Sequence, residues 1–89
     1  MASIEVKEEI QKLLTKHGET AIVGIEIAVN EDEDGFTIEA TEFDIVGEED
    51  SVPASEHNED LACDLNEMLF DFIDEFNGED QPAYQKIEL

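Results

Sequence analysis

The chain has 89 residues, is 40% hydrophobic, and carries a formal net charge of −22 from 26 acidic and 4 basic side chains. That length allows one domain, residues 1–89, and the hydrophobic share exceeds what a disordered acidic tail carries. The charge excludes direct binding to nucleic acid or to an anionic membrane and points to a basic partner surface.

The first predicted element is a helix from Ser3 to His17. Val6, Ile10, Leu13, Leu14 and His17 recur at helical spacing, Ser3 suits the N-cap, and Gly18 stands just past the end. Glu8 and Lys12 form an i,i+4 pair of favourable order. Thr20 to Val29 reads as a strand with Ala21, Val23, Ile25, Ile27 and Val29 on one face.

Asn30-Glu31-Asp32-Glu33-Asp34-Gly35 reads as a polar loop between this strand and a second one, Phe36 to Val46. The second strand slips in period: Phe36, Ile38 and Ala40 share one face, whereas Phe43 and Ile45 share the other. A bulge near Thr41-Glu42 brings both sets inward. Gly47 to Ala54 reads as a linker with Pro53 and the run Glu48-Glu49-Asp50.

Ser55 caps a predicted second helix running to about Asn77, with Gly78 as its stop. Its core stripe is Leu61, Leu65, Met68, Leu69, Phe72, Ile73 and Phe76. Gly78 to Pro82 breaks the chain, and Ala83 to Leu89 is a candidate edge strand. The expected fold is α+β in the order α-β-β-α with this C-terminal edge strand. Two amphipathic helices cover one face of a small antiparallel sheet, and the other face carries Glu26 with several of Thr37, Glu39, Glu42 and Asp44.

The distribution of charge is sharper than its total. Between Lys16 and Lys86 there is no Lys or Arg, yet 22 of the 26 acidic residues lie there. On the second helix Asp60, Asp64, Glu67, Asp71 and Asp74 step by 4, 3, 4 and 3 residues, which keeps them within roughly 40° of one line. Each like-charge step costs about 0.2–0.5 kcal/mol, in a domain whose total stability is on the order of 5 kcal/mol. A plain solvated face mixes in lysine at no loss, so the row reads either as the solvated face of an acidic protein or as a purposeful anionic row. With Glu75 and the loop clusters Glu31, Asp32, Glu33, Asp34 and Glu48, Glu49, Asp50, it forms the candidate partner-binding set. Lysines and arginines that grip phosphate also grip carboxylate.

The remaining motifs carry less. Asn30 to Gly35 begins like an EF-hand loop, but the twelfth position is Thr41 and Glu42 comes one residue late. Cys63, the single cysteine, excludes an internal disulfide and a cysteine-rich zinc site. Cys63 and Phe70 lie off the apolar centre of the second helix; the terminal strand or first helix is expected to cover them, although this flank also permits a homodimer. His17 and His57 have no second ligand beside them, and no nucleophile–base pair or phosphate loop is present. No enzyme activity, metal or cofactor is expected. No stretch of 18 apolar residues and no leader peptide is read, so the expected location is the cytoplasm.

In length, near absence of basic residues and helix–hairpin–helix order, with acids at Glu31 to Asp34 and Asp60 to Asp74, the chain resembles the small acidic DNA-mimic inhibitors of phages and mobile elements. These include anti-restriction proteins, uracil-DNA glycosylase inhibitors and some anti-CRISPR proteins. The resemblance implies a stoichiometric inhibitor that occupies the basic nucleic-acid-binding site of a nuclease, restriction enzyme, CRISPR effector or repair enzyme. Three alternatives stay open: an acidic immunity or antitoxin-type inhibitor of a basic nuclease, an acidic domain adapted to a high-salt cytoplasm, and a Ca²⁺-binding protein.

Overall fold

The chain's helix signals are read locally as expected at the N-terminus. In the computed structural model, which describes residues 3–77 and 82–89, α1 spans Ile4–Lys16. The Ser3 side chain accepts the Val6 N–H at 3.3 Å, and Val6, Ile10 and Leu14 turn to the interior. Gly18 follows at φ 71°, a left-handed conformation that an L side chain rarely adopts.

The hairpin is longer than its sequence suggests. β1 is Ile22–Asp32 and β2 is Gly35–Ile45, so Asn30, Glu31 and Asp32 belong to a strand and only Glu33 and Asp34 form the turn. The Asp32 carboxylate accepts the Asp34 N–H at 2.8 Å and closes that turn. The residues that began like an EF-hand are thus a strand end and a tight turn followed by a second strand, not a loop leading into a helix.

Two irregularities place the apolar residues. Glu26 pairs with Glu42 and Ile27 with Ala40, leaving Thr41 as the extra residue on β2. This is the bulge that the period slip implies, and it brings Ile38, Ala40 and Phe43 to one face. A second lies on β1, where Ile22 pairs with Ile45 and Gly24 with Asp44, leaving Val23 extra. It turns Ile22 inward and leaves Val23 45% exposed, correcting the reading that put Val23 in the core.

The segment read as a linker supplies a two-residue edge strand, β3 (Val52–Pro53), paired to Glu42 and Phe43. Proline is tolerated there because an edge strand leaves one side without ladder bonds. β4 is Tyr84–Glu88 and pairs with the opposite side of β1, as its alternation indicates. The antiparallel sheet has the order β3-β2-β1-β4.

The predicted second helix is broken into three pieces. α2 is a single turn, Ala54–His57; α3 is Glu59–Asp71; a 3-10 turn covers Ile73–Glu75. Asn58 makes the first break. It is extended at φ −161° and ψ 93°, its Oδ1 accepts the Leu61 N–H at 3.1 Å, and its Nδ2 donates to Glu19 at 3.1 Å. Ser55 is therefore not the cap, because a better one stands three residues later with a tertiary partner. Replacing Asn58 by alanine is expected to lower stability by about 1 kcal/mol, a drop in Tm of about 5 °C for a domain this small, read by thermal denaturation. The second break, at Phe72, tightens the chain and delivers Phe76 to the core at 1% exposure. The reading of Gly78 as the helix stop, and most of the Gly78 to Pro82 break, fall outside the described residues.

α1 and α3 cover one face of the sheet. Between them Leu61, Leu65 and Leu69 pack with Val6, Ile10, Ile25, Phe43 and Ile87, all essentially buried. The side chain of Asn66 accepts the Ala40 N–H at 2.7 Å, and Phe70 lies beside Thr37 and Ile38. α3 therefore runs antiparallel to β2, with its start near Phe43 and its end near the hairpin tip. Among the described residues no helix is long and apolar enough to cross a membrane.

A candidate anionic interface

The acidic row survives folding in part. Asp60, Asp64, Glu67 and Asp71 lie on α3, but Asp74 falls on the 3-10 turn, outside the helix that was expected to align it. The row is thus four carboxylates over about 16 Å of helix. Glu67 and Asp71 stand exposed on the outer crest of α3, between a groove shared with Glu9, Leu13 and Lys16 of α1 and a second groove containing Phe70 and the β2 edge.

Besides Asp32, which closes its own turn, two of the candidate residues have partners distant in sequence. Asp64 is half-buried, with Oδ2 2.7 Å from His17 Nε2 and 3.8 Å from Lys16 Nζ. The hydrogen bond with His17, helped by the charge of Lys16, holds its carboxyl below the ordinary value of 3.8. Because the folded-state value is depressed, the stability that this contact contributes is present above about pH 4 and is lost as pH falls through the folded value. Asp64→Asn is accordingly expected to be less stable than the native chain near pH 6, with the difference closing below pH 4 in urea titrations. Glu75 is the other: its Oε1 accepts the Ser3 N–H at 3.2 Å, joining the 3-10 turn to the positive end of the α1 dipole.

The loop clusters stand at the two ends of β2. Glu31, Asp32, Glu33 and Asp34 occupy the hairpin tip, and Glu48, Glu49 and Asp50 follow the opposite end; all seven are exposed. The crest of α3 runs between these ends, so the exposed carboxylates extend along the molecule rather than gathering in one patch. Its longest extent is 36 Å, the length of about ten phosphates along one strand of duplex.

The open face of the sheet adds charge that the helix pattern does not reveal. Glu26 and Glu42 are direct cross-strand partners, a repulsive placement. Lys86 pairs with Glu26 across the other side of β1, and its Nζ lies 3.1 Å from the buried Asp44 Oδ2. That carboxylate keeps the Lys86 ammonium above its usual 10.5. The bridge passes over Gly24, where an added Cβ comes within 2.8 Å of Asp44 Oδ2 and 3.4 Å of Lys86 Cε. The other described ion pairs of lysine are Lys12–Glu9 and Lys16–Asp64. No lysine therefore reaches the hairpin tip, the loop after β2 or the far half of the α3 crest.

Cys63 and Phe70 are exposed, Phe70 at 54%, so neither the terminal strand nor α1 covers them. Tyr84, on the open face of β4, is 77% exposed. His57 contacts Glu19 and meets the ring of Phe43 edge-on at 5.7 Å, a packing role. Among the described residues no three metal-ligating side chains converge. Compared with protein-family models, curated proteins and solved structures, the chain matches none.

Proposed function

We propose that this protein is an inhibitor that presents DNA-like negative charge to the basic nucleic-acid-binding site of an enzyme and blocks it, in the manner of anti-defence proteins. The observation that carries the reading is a set of carboxylates that no lysine reaches: hairpin tip, far half of the α3 crest and post-β2 loop, on a body 36 Å in its longest extent, with no Lys or Arg in the sequence between Lys16 and Lys86. Such a surface steers a basic partner to fast, salt-sensitive association. Nucleases, restriction enzymes, CRISPR effectors and repair enzymes share the cationic cleft that it fits.

Immobilised protein exposed to a bacterial lysate at low salt is expected to retain one nucleic-acid-binding protein to the end of a salt gradient, and to release it to duplex DNA. A smear of basic proteins leaving together at modest salt overturns the reading. Circular dichroism separates it from adaptation to a salty cytoplasm: the inhibitor stays folded at low ionic strength, whereas a salt-adapted domain unfolds. The exposed rings of Phe70 and Tyr84 favour a second reading, an immunity-type inhibitor that anchors an aromatic side chain in a basic nuclease.

A further inference from the structure

β2 has one side without a strand over half of its length. On that side β3 pairs only with Glu42 and Phe43, and the Ala40 N–H is taken by Asn66. Residues of one parity in a strand point their backbone groups the same way. Phe36 and Ile38 share the parity of Ala40, so their N–H and C=O groups face away from β1. The Val29 N–H agrees: it leaves β2 and bonds Ala83 O at 2.7 Å, as expected when Val29 and its partner Ile38 form a non-hydrogen-bonded pair.

This edge is the floor of a groove. Its wall is the flank of α3 that carries Asn66 and Phe70, with Glu67 and Asp71 above. Glu39, exposed on the other face of the sheet, borders the same edge. The site thus combines backbone groups turned away from β1 with no strand beside them, an exposed aromatic ring and carboxylates on both sides of the strand plane. A bare strand edge is a hazard that proteins suppress with charge. Here all of that charge has one sign, which repels a second copy of this chain and attracts a cationic segment.

We propose that the β2 edge from Phe36 to Ile38, overhung by Phe70, receives an extended lysine- or arginine-bearing segment of the basic partner as an added strand. Alternation supplies the specificity: basic side chains on one face meet Glu39, and an apolar one on the other packs beneath Phe70 against Ile38. The proposal rests on the function above only for the positive charge of the partner.

The probe is a capped heptapeptide alternating lysine with threonine and one central valine, titrated into the full chain and followed by amide hydrogen exchange. The amides of Phe36 and Ile38 are expected to exchange at least ten-fold more slowly at saturation. Phe70→Ala, at a largely exposed position, should weaken binding at least ten-fold while leaving the fold intact. The same peptide N-methylated at alternate residues tests the backbone bonds without altering the protein, and should also bind at least ten-fold more weakly. Unchanged exchange at Ile38, or equal affinity of the methylated peptide, overturns the added strand. Should the lysate partner be displaced by duplex DNA while Ile38 is unaffected, only this inference fails. A protected Ile38 without competition by DNA sinks the mimicry instead.

Discussion

Phe43→Ala is expected to destabilise the domain by about 3–5 kcal/mol, most of the stability that a chain of this size commands. Phe43 is fully buried, and its position depends on the Thr41 bulge that reverses the face of β2. It packs beneath the His57 ring at 5.7 Å and holds α2 against the sheet. A cavity at this point loosens the β3–α2 connection that delivers α3 to the core. Urea titration at neutral pH should show the unfolding midpoint moved close to zero denaturant. A loss under about 1 kcal/mol contradicts the assignment of Phe43 as the pivot of the core.

Charge reversal on the α3 crest is expected to act in the opposite sense. Converting Asp60, Glu67 and Asp71 together to lysine should weaken binding to the captured partner at least 100-fold. The fold should be kept: reversal relieves the Asp60–Asp64 and Asp64–Glu67 repulsions, about 0.2–0.5 kcal/mol each, which offsets the loss of an acid from the first turn of α3. Reversal at Asp64 would be a folding defect as well as a binding one, because of its contact with His17. Isothermal titration together with thermal denaturation separates the two effects. Undiminished binding by a well-folded triple variant removes α3 from the interface.

The Thr41 bulge was legible because the apolar period slips between Ala40 and Phe43, and a slip on a half-buried strand has few other solutions. Its counterpart at Val23 was not, because Ala21, Ile22 and Val23 are all apolar and either register looks the same. The helix break at Asn58 was hidden by Ser55, an equally good cap by residue type; the choice is made by Glu19, which is distant in sequence. The end of α3 at Asp71 left no mark because Phe72, Ile73 and Phe76 continue the helical spacing while the backbone tightens.

Of the candidate interface, the exposed loop clusters and the α3 row could be read from spacing and from the missing lysines. The partners of two members could not. Asp64 meets His17 47 residues away, and Glu75 meets Ser3 72 residues away. Nor does periodicity show that the Phe70 flank overhangs a strand edge, since that depends on how far β3 extends along β2.

Competition with nucleic acid can be watched in a mobility-shift titration. Labelled duplex DNA is saturated with the captured partner, and the acidic protein is added in steps. Free duplex should be released at near-equimolar protein, and the shifted band should recover when more duplex is supplied. A slower-migrating complex containing duplex, partner and acidic protein together would mean that the carboxylates bind outside the nucleic-acid site and do not mimic DNA.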